Sequence, residues 1–154
     1  MTGTKFNSNI IFTPIKEDPF SSFTDFAGKT VGGAKFSMWW YSITKPFTME
    51  EPPHTHSHDQ IVIHMGGDPL NMKEFGAVFE MQLGKENEVH IIDKPAILYI
   101  PAGMIHRGAV VKSVTKVVIV VNVFLVDEYA KLKTYDPVTG KEVPPPPPPP
   151  GSDR

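Results

Sequence analysis

The sequence predicts an all-β fold, a sandwich or a barrel, and three observations support this prediction. Short runs of β-branched and aromatic residues are separated by clusters of Gly, Pro, Asn and Asp, a pattern typical of strands joined by turns. The periodicity that amphipathic helices require is nearly absent. The chain has 154 residues, which is enough for one domain with its own hydrophobic core.

The predicted strands follow one another with turn residues between them. Turns are expected at residues 66–69, 84–87 and 93–95. The strands are expected, in order, at residues 10–15, 33–42, 46–50, 60–65, 75–83, 88–92, 96–100, 109–111 and 114–125. A short helix is expected at residues 127–133, with Asp127 as its N-cap.

Composition divides the chain into an N-terminal arm (1–32), a barrel (33–126), a C-terminal segment (127–143) and a polyproline tail (144–154). Residues 135–143 are polar, and seven consecutive prolines follow. This end of the chain is expected to form neither helix nor sheet, and the tail is expected to be disordered. A solvated terminus is favoured over a polyproline ligand for an SH3 or WW type module.

Several classes of protein are excluded by composition. The absence of cysteine excludes disulfides, thiolate nucleophiles and Cys-based zinc sites. Fifteen Lys and Arg against 17 Asp and Glu, without a basic cluster, argue against nucleic acid as a partner. The longest apolar stretch, residues 117–126, contains Asn122 and is about half the length that a membrane-spanning helix needs. With no signal segment visible, the cytoplasm is the default location.

Histidines cluster between residues 54 and 58. Because residues i and i+2 of a strand project from one face, His54 and His56 can present two imidazoles to one point. Gln60, on the next strand, can offer a side-chain oxygen to that point, with His58 as an alternative. His106 follows a Pro-x-Gly turn that redirects the chain and can supply a further imidazole. This set predicts a site for a divalent transition metal.

The spacing of these residues resembles the two sequence motifs of the cupin superfamily. The first motif is matched by His54, His56, Gln60 and Gly67, and the second by Pro101, Gly103 and His106. The resemblance implies a double-stranded β-helix, or jelly roll. It also implies a homodimer, in which residues 9–15 are a candidate donated edge strand. Most cupins place a glutamate where this chain has Gln60.

Glutamine in place of glutamate bears on the chemistry, because a neutral ligand set leaves a divalent ion with its full charge as a Lewis acid. Some cupins with three His and one Gln catalyse non-oxidative reactions, and others are oxygenases. The leading hypothesis is a lyase, isomerase or decarboxylase acting on a small oxygenated or carboxylate substrate through an enolate-like intermediate. The alternatives are an iron-dependent dioxygenase and a non-catalytic binding module. Spacing does not decide between Mn, Fe, Zn and Ni.

Two further residues are candidate catalytic groups. His64 lies four residues after Gln60, on the same strand face, and is either an acid/base group or a hydrogen-bonded core histidine. Tyr41 lies in an aromatic run that either packs in the core or lines a pocket, where its hydroxyl could reach a substrate. Glu80 is expected to face outward and Arg107 to lie on an exposed rim.

Overall fold

The computed structural model describes residues 9–30 and 32–144 and confirms the predicted all-β jelly roll. In chain order the strands are β1 Lys16–Glu17, β2 Ser21–Ala27, β3 Ser37–Ile43, β4 Phe47–Thr48, β5 His54–Thr55, β6 Gln60–Gly66, β7 Ala77–Leu83, β8 Glu88–Ile92, β9 Ala96–Ile100, β10 Val110–Val114, β11 Val118–Phe124, β12 Lys133–Tyr135 and β13 Glu142–Val143. Over the described ranges the chain contains no α-helix.

Two antiparallel sheets enclose the core. The larger has the order β1-β2-β3-β11-β6-β9 and the smaller has the order β4-β10-β7-β8. A third sheet, β13-β12-β5, joins the C-terminal segment to the strand that carries His54. The core cluster comes from both of the first two sheets and comprises Ile43, Val62, Ala77, Phe79, Ile100, Val111, Val118 and Val120.

Alternation along the strands determines which side chains face this core. In β6, Gln60, Val62 and His64 are buried, and the residues between them are only partly buried. In β7, Phe79 is buried, whereas Glu80 faces away and its carboxylate lies 3.2 Å from Nζ of Lys112. The predicted outward orientation of Glu80 is therefore confirmed.

The N-terminal region differs from the prediction in two respects. Residues 10–15 form no strand, and all of them except Thr13 are exposed, with Phe12 at 92%. β2, which lies in the segment assigned to an arm, pairs with β3 along seven residues and extends the larger sheet before residue 33. Sequence alternation did not reveal β2 because its most deeply buried side chains are the small polar Ser21 and Thr24.

The C-terminal segment also differs from the predicted secondary structure. Residues 127–133 form no helix, because their backbone is held by the barrel: the amide of Leu132 donates to the carbonyl of Thr55. Residues 135–143, expected to be irregular, contain the last residue of β12 and all of β13. The turn between them is closed by the Asp136 carboxylate, which accepts hydrogen bonds from the backbone amides of Val138 and Thr139. Residues 145–154 of the predicted tail lie outside the described residues.

The predicted strand at 114–125 is interrupted near its start. β10 ends at Val114, β11 begins at Val118, and the amides of Thr115 and Lys116 both donate to the carbonyl of Gly76. Gly76 has no room for a side chain, because a Cβ there would lie 2.4 Å from Cβ of Lys116. This turn places β11 between β3 and β6, where its inward residues line the barrel.

Within the described residues, no helix is long and apolar enough to cross a membrane.

The homodimer implied by the resemblance stays a prediction. β9 is an edge strand of the larger sheet and exposes Ile97 and Tyr99, and residues 10–15 expose several apolar side chains. Covering such surfaces is a common reason for small β-proteins to associate. We expect light scattering coupled to gel filtration to give twice the mass of one chain. A monomeric mass at micromolar concentration would contradict the prediction.

Candidate metal centre

Three histidines converge at one end of the barrel. His54 and His106 exchange backbone hydrogen bonds of 2.9 and 3.0 Å, which fixes the two residues side by side. His56 follows on the same face, and the Pro101–Gly103 turn is tied to it by a 2.8 Å hydrogen bond from the amide of Gly103 to the carbonyl of His56. All three imidazoles are buried, and their ligating nitrogens lie within 4.8 Å of one another.

The orientation of each imidazole is set by the backbone. Nδ1 of His54 donates to the carbonyl of Pro52 at 2.9 Å, Nδ1 of His56 to that of Ala130 at 3.1 Å, and Nδ1 of His106 to that of Met104 at 3.0 Å. A neutral imidazole that donates from Nδ1 keeps the lone pair of Nε2 for a metal. The backbone therefore selects the tautomer that can coordinate an ion through Nε2.

Protonation would not compete with a metal at neutral pH. Burial lowers the pKa of His54, His56 and His106 to about 4 in each case, against a smaller upward effect of the backbone hydrogen bonds. Since each folded-state pKa lies below the ordinary value, the three rings stay neutral at pH 7. Neutral imidazole is the form that binds transition metals.

Gln60 has the features of a fourth ligand. Its side chain is buried, its Nε2 donates to Oδ1 of Asn122 at 3.0 Å, and its Oε1 has no hydrogen-bond partner among the described residues. An unpartnered buried oxygen is costly unless something absent from the chain itself satisfies it. Three imidazoles and one such oxygen are a suitable donor set for a divalent transition metal, so the residues fit the predicted cofactor.

His58 lies outside the cluster of three ligating nitrogens. Its ring stacks on that of His56, with the ring centroids 5.1 Å apart, and its Nε2 is buried without a partner among the described residues. His58 does not line the cavity described below, whereas Gln60 does. We therefore propose Gln60, rather than His58, as the fourth ligand.

Asn122 orients the amide of Gln60 and was not singled out by the sequence as a site residue. Removing the partner that orients a ligand typically weakens metal binding about 10- to 100-fold. We expect Asn122→Leu to weaken metal affinity by this factor, measured by competition with a chelating indicator. Asn71→Leu, at an exposed turn, is the matched control and should leave the affinity unchanged. Equal affinity of Asn122→Leu and wild type would contradict this role.

A cavity of about 500 Å³ extends from the metal centre into the barrel. The three histidines and Gln60 lie at one end, and most of the wall is apolar. The apolar lining residues are Ile43, Phe47, Met49, Val62, Phe79, Met81, Ile100, Ala109, Val111, Val120 and Phe124. The barrel thus joins a polar, chelating end to an apolar chamber.

Both candidate catalytic residues line this cavity. His64 and Tyr41 each pair in register with Val120, so they lie at the same level of the larger sheet. Burial lowers the pKa of His64 to about 4. His64 is four residues along β6 from Gln60, which corresponds to about 13 Å between their Cα atoms at the usual rise of a strand. These two residues therefore lie deep in the chamber, far from the chelating end.

Two charged residues beside the metal centre were missed by the sequence prediction. Glu51 and Lys131 both line the cavity, and Nζ of Lys131 lies 3.0 Å from Oε1 of Glu51. Glu51 acts on the three imidazoles electrostatically, raising the pKa of each against the larger effect of burial. Glu51 could have been found from its position three residues before His54. No sequence pattern linked Lys131 to the site.

Arg107 differs from its predicted position on an exposed rim. It lines the cavity, and its Nη1 donates to Oε1 of Gln82 at 3.0 Å. Lys131 thus places a positive charge at the chelating end, with Glu51 as its counter-charge, whereas the guanidinium of Arg107 is held at Gln82, which does not line this cavity. An anionic group at this end would pair with Lys131.

The double-stranded β-helix that the two motifs implied is therefore confirmed as the fold, and the three histidines of those motifs converge at one end of the barrel.

Solved structures with the same fold include oxalate decarboxylases. The formate complex of the Lactobacillus farciminis enzyme matches with a TM-score of 0.52 and 10% identity, over 77% of this chain and 32% of that chain. A variant of the Bacillus subtilis enzyme matches with a TM-score of 0.50 and 9% identity, over 77% of this chain and 28% of that chain. Mn(II) centres are described in the Bacillus subtilis enzyme.

This chain thus spans less than a third of the length of those enzymes. No family model and no curated protein sequence matches it.

Proposed function

We propose that this protein is a metal-dependent enzyme of cupin type that catalyses a non-oxidative reaction on a small carboxylate or other oxygenated substrate. Decarboxylase, lyase and isomerase reactions belong to this class. The observation that carries the proposal is the set of three buried imidazoles with free Nε2 atoms beside the unpartnered Oε1 of Gln60.

His54, His56, Gln60 and His106 would hold the metal. A bound divalent metal would supply Lewis-acid chemistry, polarising a substrate oxygen and stabilising the negative charge that develops on it. The ligand set carries no formal charge, so it would not reduce the charge of the ion. Mn(II) is the first metal to test, because the Bacillus subtilis enzyme of the same fold contains Mn(II) centres. Fe, Zn and Ni suit the same donors.

The charged residues at the chelating end would bind and orient the substrate. Lys131 attracts a carboxylate, and the ion pair with Glu51 holds the ammonium group of Lys131 at the cavity wall. The carboxylate of Glu51 is close enough to the cluster to affect all three histidines. We propose Glu51 as the group that moves a proton to or from the substrate. Tyr41 and His64, the candidates from sequence, would act on a part of the substrate deeper in the chamber.

Turnover in the absence of oxygen tests the proposal. Protein loaded with Mn(II), Zn(II) or Fe(II) is incubated under argon and under air with a panel of 2-oxo and 3-oxo acids. Carbon dioxide release, NMR spectra of the products and oxygen uptake are followed together. We expect turnover with Mn(II) or Zn(II) under argon, at a rate that air does not increase.

Two outcomes would overturn this proposal. Substrate-dependent oxygen uptake that requires Fe(II) would identify a dioxygenase, because the same imidazole set also suits iron. Metal binding without turnover under either atmosphere would indicate a binding module that captures a small molecule.

A further inference from the structure

The chamber beyond the metal centre shows which substrates would fit it. Its charged groups lie at the chelating end, and the wall between Gln60 and His64 is formed largely by aliphatic and aromatic side chains such as Val62, Phe79 and Val120. A substrate with only a few atoms, all of them polar, would leave this wall without a partner. An apolar wall instead favours a ligand with an apolar body.

His64 is, with Tyr41, one of two polar residues deep in this chamber. Its side chain is 2% exposed, its ring meets the ring of Phe79 edge-on at 5.0 Å, and its Nδ1 has no hydrogen-bond partner among the described residues. A buried nitrogen without a partner is uncommon in folded proteins, so such a group marks a place where a ligand or a water molecule completes the structure. A neutral imidazole can both donate and accept a hydrogen bond.

We propose that the substrate is an amphiphilic monocarboxylic acid that lies along the barrel axis. Its carboxylate occupies the chelating end beside Lys131, its apolar body fills the chamber, and a hydroxyl or carbonyl group near its far end bonds to His64. The inference rests on the proposed metal site for the position of the carboxylate.

The register of β6 sets the length of this ligand. The Cα atoms of Gln60 and His64 are about 13 Å apart at the usual strand rise. A linear body of about six carbons, with single bonds of ~1.5 Å, covers roughly half of this span, and the carboxylate, the terminal oxygen and their contacts at both ends account for most of the rest. The cavity of about 500 Å³ is in the range that binds such molecules.

Binding of a homologous series to the metal-loaded protein tests the apolar body. Acetate, butanoate and hexanoate share one head group, so differences between them report only the chain. We expect affinity, measured by titration calorimetry, to rise about fourfold per methylene, from the transfer free energy of a buried methylene. An affinity that does not increase from acetate to hexanoate would overturn the proposal.

A second comparison tests the role of His64. Wild-type protein is expected to bind 6-hydroxyhexanoate at least as tightly as hexanoate, because His64 satisfies the hydroxyl. In His64→Leu the hydroxy acid should bind about tenfold more weakly than hexanoate, since a buried hydroxyl would lose its partner. His64→Gln keeps a hydrogen-bonding group and should restore the preference. His90→Leu, at an exposed histidine of β8, is the matched control.

The affinity of His64→Leu for hexanoate shows whether the chamber of this variant is intact. If the variant does not fold, the comparison of hexanoate with 6-hydroxyhexanoate in wild type still tests the role of His64. A tenfold penalty for the hydroxyl in wild type would overturn the role of His64. All of these measurements are binding equilibria, so a lack of turnover would count against the proposed enzyme activity and not against this ligand class.

Discussion

Replacing His106 with alanine is expected to abolish stoichiometric metal binding without unfolding the barrel. The side chain supplies one of the three convergent nitrogens, and its loss should weaken affinity by more than about a hundredfold, since even changes to groups behind the ligands cost 10- to 100-fold. The backbone bonds between His54 and His106 do not involve the imidazole and are retained. Metal content per chain, measured by elemental analysis after dialysis, checks this result.

Thermal unfolding is an independent measurement of the loss of metal binding in His106→Ala. Metal at about 1,000 times its dissociation constant stabilises a folded protein by about 4 kcal/mol when it binds the folded state alone. Wild type should therefore melt at a higher temperature with metal than without, and His106→Ala and His54→Ala should not respond to metal. His90→Ala, at an exposed histidine, is the control and should behave like wild type. Metal that survives both substitutions would place the site elsewhere.

The fourth ligand can be resolved by a matched pair of variants. Gln60→Ala is expected to weaken metal binding, because it removes the unpartnered Oε1, whereas His58→Ala is expected to retain it. His58 stacks against the ring of His56 and so supports that ligand only by packing. The opposite result, with metal lost from His58→Ala and kept in Gln60→Ala, would make His58 the ligand.

The convergence of the three histidines was predictable because their geometry is largely local. Two residues separated by one position on a strand share a face, and a Pro-x-Gly turn redirects the chain wherever it occurs. The turn before His106 can be predicted from the local sequence, since Gly103 adopts a φ of 81°, a conformation that favours glycine. β8 and β9, which lie next to the predicted turns at 84–87 and 93–95, were likewise predicted with the bounds that the structure shows.

The residues that sequence missed depend on contacts between distant parts of the chain. Lys131 reaches Glu51 because β12 pairs with β5, a contact across roughly 80 positions that neither segment's composition reveals. The same pairing explains the wrong helix prediction at 127–133. Local propensity at Asp127 favoured a cap, but tertiary hydrogen bonds to Thr55 and His56 hold the segment in a non-helical conformation.

Glu51→Gln is expected to lower kcat by about 10²- to 10⁴-fold, the usual contribution of a positioned proton-transfer group. Glutamine keeps the size of the side chain and a possible contact to Lys131 but cannot accept a proton from the substrate. Metal content should stay near that of wild type, because Glu51 is not one of the convergent ligands. The rate is measured with the acid that turns over under argon, on protein whose metal content has been determined.

Two control variants distinguish proton transfer from a general loss of charge at the site. Glu50→Gln changes the same group one residue earlier, where the side chain is exposed and does not line the main cavity, and should keep full activity. Lys131→Gln removes the partner of Glu51, and we expect it to raise KM for a carboxylate more than it lowers kcat, since Lys131 attracts the substrate. Equal kcat for Glu51→Gln and wild type would exclude Glu51 from proton transfer. Tyr41 and His64 would then be the groups to test for proton transfer. Both line the cavity, and both were predicted from the sequence as candidate catalytic residues.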